Sequence, residues 1–348
     1  MRRWLCGVCL AGLSGLAAAD GATIYGLVDI AAAWGSVTGG RFGGLMRDGG
    51  LAGNRVGFRG SDVLAEGLEL SVVLESGFLP GSGQSHRVGR TFSRQTWLAL
   101  SGPFGRLSLG YQYSPGFMIP YRYQVVGGSA GFAPRSTLAF AGGYSIVPGS
   151  PGRFDNAVAW TSPTWGGVQV LGIYGFQGRQ RDDASGSHEG DDRVGLGASF
   201  DAGRFSAGLA WHRIGEADST GAAREGFVGL SFDTGPVKVV ATLSRRDAPG
   251  AVPGDNRLRS AGVVGKLAGG EGSVGVAWLD PRGGANHARS VTAGYIRPVS
   301  RRTRWYVAIN RLTYGAATDA LARPGAVVTV AAAGHSATSL VSGFSHTF

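Results

Sequence analysis

The chain has 348 residues, with 33 Lys and Arg against 23 Asp and Glu, 62 glycines and two cysteines. Hydrophobic content of 43% is too high for a disordered tract, the glycines follow no three-residue period, and the basic residues recur singly instead of gathering into a patch with interleaved aromatics. A disordered chain, a collagen-like rod and a nucleic-acid partner are set aside on those grounds.

At the amino end, Arg2 and Arg3 precede an apolar run from Trp4 to Leu16 and the small residues Ala17, Ala18 and Ala19. This is the pattern of a secretory signal cleaved after Ala19, and the run is short for a spanning helix. Cys6 and Cys9 both lie inside it, so the exported chain, residues 20–348, is expected to hold no disulfide, thiolate metal site or cysteine nucleophile. Without Arg2 and Arg3 it keeps 31 basic residues and carries about +8.

Beyond the signal the recurring pattern has period two. In the stretch "NRVGFRG" at 54–60, Arg55 and Arg59 share one face and Val56 and Phe58 the other. Further on, Val194, Leu196, Ala198 and Phe200 alternate with Arg193, Gly195, Gly197 and Ser199. After the turn at 201–203, Phe205, Ala207, Leu209 and Trp211 alternate with Arg204, Ser206, Gly208, Ala210 and His212, which reads as an up-and-down hairpin. Sixteen such segments occur, near 23–34, 54–60, 68–78, 90–100, 105–113, 153–162, 167–177, 192–200, 204–213, 224–233, 237–246, 256–267, 272–279, 288–297, 303–314 and 336–348.

The connections alternate between short turns (101–104, 163–166, 201–203, 234–236, 268–271) and long polar stretches (35–53, 114–152, 178–191, 315–335). An even number of amphipathic strands joined in this way predicts an all-β fold, a transmembrane antiparallel β-barrel of 16 strands closed because lipid cannot satisfy an open edge. Trp97, Tyr111, Trp160, Trp165, Trp211, Trp278, Tyr295 and Trp305 near strand ends are expected to form the interfacial girdles. The carboxyl end, "GFSHTF", puts Phe344, His346 and Phe348 on one face.

The blocks "TIYGLVDIAAAW", "NRVGFRGSDVLAEGLELSVVLESGF", "RTFSRQTWLALSGPFGRLSLGYQY", "RFDNAVAWTSPTWGGVQVLGIYGF" and "GFSHTF" occur in an order and spacing that resemble the Gram-negative trimeric general porins of the neisserial and β-proteobacterial type. The resemblance covers essentially the whole exported chain. It implies a homotrimer in the outer membrane, in contact with its lipids, passing small hydrophilic solutes without a cofactor or metal. It also implies a carboxyl-terminal assembly signal, Phe344, His346 and Phe348, read by the barrel-assembly machinery. The third external loop of that family folds inward and narrows the pore, and 114–152 stands in its place. Arg55, Arg94 and Arg153 match the basic residues that line one side of the constriction.

If Val56 and Phe58 face lipid, Arg55 and Arg59 face a water-filled lumen. From Ser76 to Phe154 there is no Asp or Glu, whereas Arg87, Arg90, Arg94, Arg106, Arg122, Arg135 and Arg153 all fall there. The expected constriction set is therefore Arg55, Arg59, Arg90, Arg94, Arg122, Arg135 and Arg153. Guanidinium groups lining a narrow passage concentrate anions and repel cations. Carboxylates from other strands, such as Asp29, Glu69, Glu75 and Asp155, are the candidates for neutralising some of them. Phe117, Tyr121, Tyr123, Phe132, Phe140 and Tyr144 in the same loop serve either as anchors or as a sliding surface for an organic solute.

Two alternatives stand beside a general pore. One is a channel with a saturable site for phosphate or an organic acid, since guanidinium grips either in a fork. The other is a barrel enzyme, which needs a serine, histidine and acid converging at one end. Gly127 to Gly131 matches the G-x-S-x-G pattern, but no strand-turn-helix surrounds it and glycine is abundant.

Overall fold

A computed structural model of the chain describes residues 22–38, 40–176, 192–215, 221–251, 254–282, 287–315 and 334–348. The segment 1–19 and the loop 178–191, with Asp182, Asp183 and Glu189, lie outside the described residues.

Among the described residues, eighteen strands follow one another in a single antiparallel order. They are β1 (Thr23–Val37), β2 (Gly40–Asp48), β3 (Arg55–Ala65), β4 (Leu68–Leu79), β5 (Gln84–Ser85), β6 (Gln95–Gly102), β7 (Gly105–Tyr113), β8 (Arg153–Thr161) and β9 (Val168–Gly175), then β10 (Arg193–Ala202), β11 (Phe205–Ile214), β12 (Ala223–Asp233), β13 (Val237–Asp247), β14 (Asn256–Leu267), β15 (Gly270–Pro281), β16 (Ala288–Pro298), β17 (Thr303–Tyr314) and β18 (Ser336–Thr347). Sixteen of them form the wall, which closes where Leu27 to Val37 of β1 pair with Thr347 to Ala337 of β18. The two extra strands are short. β5 is a two-residue pairing with the end of β4, and β2 lies inside the stretch 35–53 read from sequence as an external loop.

β2 pairs with the outer half of β1 and β3 with its first five residues, so Gly49–Asn54 interrupts a single wall position. Asp29 of β1 holds that interruption in place. Its carboxylate accepts the N–H of Gly50, Leu51 and Ala52 at 2.9, 3.1 and 2.9 Å and the hydroxyl of Tyr306 at 2.6 Å.

Period-two sequence becomes period-two burial. Along β12, Glu225, Phe227, Gly229 and Ser231 are buried, while Val228, Leu230 and Phe232 point outward and are exposed. The outward apolar side chains meet lipid, which replaces the hydrophobic core of a soluble protein with a band. Among the expected girdle residues, Trp97 instead lines the lumen, under the Arg106 guanidinium at 4.0 Å. Tyr111 lies on the strand face of Leu107 and Leu109 but is buried: the Arg90 guanidinium packs 5.1 Å from its ring, and its hydroxyl accepts a hydrogen bond from Arg87 at 3.1 Å.

Short turns close one end. At Ala268–Gly269 both residues have positive φ, 45° and 77°, the requirement of a two-residue type I′ hairpin. The other end sends residues 114–152 into the lumen as two helices, α1 (Pro115–Tyr121) and α2 (Pro134–Ala141), each starting with a proline whose missing N–H costs nothing at a first turn.

The inner wall is shaped to receive this loop. On successive strands a Cβ at Gly197 would meet Ile119 at 2.6 Å, at Gly208 or Gly229 it would meet Tyr123 at 2.6 or 2.5 Å, at Gly262 or Gly275 Val125 at 2.4 or 2.7 Å, and at Gly294 Val126 at 3.0 Å. Glycine on the inward face of β10, β11, β12, β14, β15 and β16 is therefore a seat for residues 115–126. These six of the 62 glycines have this packing reason.

Candidate pore constriction

With the loop seated on β10–β16, the open passage lies between the loop and the wall from β2 to β8. A cavity of about 680 Å³ lies there. Wall residues Arg47, Arg55, Arg94 and Arg153 line it together with His86, and the loop presents Phe117, Tyr121, Phe140 and backbone at Gly128, Ala130 and Gly131. Among the described residues, Asp48 is the one carboxylate in that lining.

The arginines have different partners. Glu75, buried on β4, accepts from Arg94 Nε at 2.7 Å and from Tyr25 at 3.0 Å, and lies 3.7 Å from Arg55 Nε. Arg94 also donates to Tyr113 at 3.2 Å. Arg90 pairs with Asp155, and Arg59 lies over the Tyr25 ring at 4.4 Å. Arg153 is only 5% exposed; its guanidinium sits 5.1 Å from the Tyr113 ring and 5.3 Å from Phe117, which stack on each other at 3.8 Å. Its hydrogen bond goes to the Ser150 hydroxyl at 3.4 Å, and among the described residues it has no carboxylate within ion-pair distance. Two aromatic faces thus hold Arg153 rigidly at the passage with its charge uncancelled. Burial and the Arg94, Arg153 and Arg87 cations push the His86 imidazole below the ordinary histidine range, so it is neutral at pH 7.

The structure gathers Arg55, Arg94 and Arg153 at the passage. Arg90 and Arg94 belong to the segment before β6, not to a strand, because β6 begins at Gln95. Arg59 lines the next cavity toward the short-turn end. Arg90, paired with Asp155 and packed over the Tyr111 ring at 5.1 Å, lines neither cavity, and two further members of the expected set lie elsewhere. Arg122 pairs with Asp201 in a cavity under the loop that also contains Lys238, Lys266 and Arg304. Arg135, 1% exposed, is turned away from the pore; it donates to Ile146 O at 2.9 Å and Ser244 at 3.2 Å and stacks 4.8 Å from Phe227. Its burial lowers the guanidinium pKa to about 10, against the pull of Tyr144 and Glu225.

The six loop aromatics divide evenly. Tyr123, Phe132 and Tyr144 are buried at 1% exposure against the wall, whereas Phe117, Tyr121 and Phe140 face the passage. Arg47 was not in the sequence-based set, although it lines the same cavity and stacks over Phe132 at 5.5 Å. Its pairing with Ala31 fixes it as inward, and only the unrecognised strand β2 hid that signal.

A serine, a histidine and an acid do converge, at Ser145, His212 and Glu225. Gly116 N–H donates to His212 Nε2 at 3.1 Å, leaving Nδ1–H to meet Ser145 Oγ at 2.7 Å, and the Ser145 hydroxyl donates to Glu225 at 2.8 Å. Glu225 also accepts from Ser145 N–H and Ile146 N–H at 2.8 and 3.0 Å and lies 3.4 Å from Arg246. The serine proton points to the carboxylate, not the imidazole, and none of the three reaches solvent. This is the clasp that fixes the far end of the loop. Ser129 of the glycine-rich stretch is likewise structural, donating to Gly50 O at 2.7 Å.

Residues 7–317 match the profile of the Gram-negative porins. The chain is 27% identical to an outer membrane porin protein of Bordetella pertussis, over 85% of this chain and 90% of that one, and 26% identical to outer membrane porin protein 32 of Delftia acidovorans over the full length of both. An anion-selective porin from Comamonas acidovorans superposes with a TM-score of 0.77 at 24% identity, covering 94% of this chain and 99% of the other.

Proposed function

Since the chain belongs to the Gram-negative porin family and is a passive channel of the outer membrane, we propose that its pore prefers anions. The observation that carries this is Arg153. Arg55 and Arg94 share one carboxylate and Arg90 has its own, but Arg153 lines the cavity between loop and wall with no ion-paired carboxylate among the described residues, opposite a loop that has no acid from 114 to 152. A fixed cation in a narrow, partly desolvated passage raises the local concentration of anions and costs cations. The anion selectivity of the similar Comamonas porin supports the same reading.

The constriction set is Arg47, Arg55, Arg94 and Arg153, with Arg59 beside it, Arg90 held by Asp155 outside these cavities, and Arg122 and Arg135 positioning the loop. Assembly as a homotrimer follows the pattern of the family. The carboxyl-terminal Phe344, His346 and Phe348 share the outward face, where an assembly machinery that pairs with the last strand would read them. In a planar bilayer with a potassium chloride gradient, the refolded protein should give a zero-current potential of the sign set by chloride. A potential of the potassium sign refutes the reading.

A further inference from the structure

The cavity between loop and wall has two chemically different sides. The wall contributes Arg47, Arg55, Arg94 and Arg153, and the loop contributes Phe117, Met118, Tyr121 and Phe140. A filter for anions needs only the first side, because a loop without acid leaves the wall charge in place whatever neutral residues it carries. Chloride gains little from an aromatic ring. Yet Tyr121 is 50% and Met118 38% exposed on the loop side, where polar side chains would be hydrated at less cost.

The rings on that side are set in place. A Cβ at Gly128 would meet the Tyr121 ring at 2.5 Å, and one at Gly149 would run into the Phe140 ring. Phe117 stacks on Tyr113 with 15° between the ring planes. Helix α1 is thereby divided between two tasks: Ile119 enters the glycine seat of the wall, while Phe117, Met118 and Tyr121 turn to the cavity. The aromatic face is pre-formed and receives a flat solute without rearrangement.

The charged side is short of acceptors. Arg47 Nε and Arg153 Nε are buried with no hydrogen-bond partner among the described residues. Asp48 makes no ion pair with either among the described residues, and it accepts from Gly81 N–H at 2.8 Å. Buried donors are ordinarily satisfied, so this lining is suited to an anionic acceptor. A solute that answers both sides has a carboxylate at one end, whose oxygens fit a guanidinium fork, and a flat ring at the other, which stacks on aromatic faces. Phosphate would use only the wall, and a neutral arene only the loop. A volume of about 680 Å³ has room for one such molecule with water.

We propose, resting on the anion-preferring reading of the passage, that this cavity is a binding site for aryl carboxylates of the benzoate class. Arg47 and Arg153 offer guanidinium donors to the carboxylate, and Phe117, Tyr121 and Phe140 hold the ring. Among anions of equal charge, the loop aromatics set the specificity.

The test is block of the chloride current through the refolded protein in a planar bilayer, with benzoate, cyclohexanecarboxylate, acetate and benzamide as probes. Benzoate should half-block the current at a concentration about five-fold below that of acetate, with cyclohexanecarboxylate between them and neutral benzamide without effect. Tyr121→Ala should lower the ratio of the acetate to the benzoate value by about half, and Tyr121→Phe should keep it. Equal block by benzoate and acetate, equal block by benzoate and cyclohexanecarboxylate, block by benzamide, or a native ratio in conducting Tyr121→Ala would each overturn the proposal. The first three outcomes need only the native chain, so a variant that fails to refold leaves the test intact. The native zero-current potential in potassium chloride separates the two readings. A chloride sign with equal block by benzoate and acetate refutes the aryl site and leaves the anion preference standing, whereas a potassium sign refutes both.

Discussion

The inner wall has two halves made from the same alternating strands. From β10 to β16 its inward positions are mostly glycine, alanine, serine and threonine, and the loop covers them. From β1 to β8 they include Tyr25, Arg55, Glu75, Tyr113 and Arg153, with Arg94 just before β6, and these line the passage. The small half cannot form a pore lining because the loop fills it, and the bulky half leaves the loop no seat. Pore position is thus a packing outcome, and pore charge is what remains on the uncovered half once carboxylates from the same half are paired.

Breaking the clasp should blur that contrast most. Glu225→Ala removes the acceptor of two backbone N–H groups and a hydroxyl together with one buried ion-pair partner of Arg246, a loss on the order of 3–5 kcal/mol. Limited proteolysis between 114 and 152, resisted by the native protein, should then proceed, and open-channel noise should rise. Unchanged resistance would mean that the glycine seat alone retains the loop.

Filling that seat comes next. Gly229→Ala puts a methyl 2.5 Å from Tyr123 and should cost roughly 1–3 kcal/mol by overpacking, read as a lower unfolding temperature. The same change at Gly226, whose Cβ meets nothing within 4 Å, should have far less effect. Equal losses at the two positions would count against the seat.

The smallest effect sharpens the bare half. His86 is held neutral by burial and by the surrounding arginines, so its protonated form is disfavoured and gains population only as pH falls below the ordinary histidine range. As pH falls from 7.5 toward the ordinary histidine range, the zero-current potential should change less than an unperturbed imidazole would make it. Further acidification adds a cation to the passage and should raise anion preference more in the native chain than in His86→Gln. Identical profiles would remove His86 from the constriction.

How much of this could be read from the residues depends on backbone type. In strands, parity is information. It placed Arg55 and Arg59 inward and Val56 and Phe58 outward, and it gave sixteen wall strands.

Where period two stops, the reading stops. Arg122 and Arg135 lie on helical or irregular loop backbone, and nothing local tells an anchor from a pore residue. β2 was hidden because Asp29 breaks the wall position at 49–54 through hydrogen bonds from a strand twenty residues earlier. The pairing of Arg94 with Glu75 is likewise a contact across β4 and the segment before β6. Glycines on inward faces were visible as small residues, but their partner, the loop, was not.

The most direct test is the zero-current potential of Arg153→Glu measured beside the native protein across the same potassium chloride gradient. A chloride-signed potential in the native channel that collapses or reverses in the variant, with conductance retained, is the predicted result. An unchanged potential in a conducting Arg153→Glu channel would contradict the claim that this arginine, held by Tyr113 and Phe117, sets the charge of the pore.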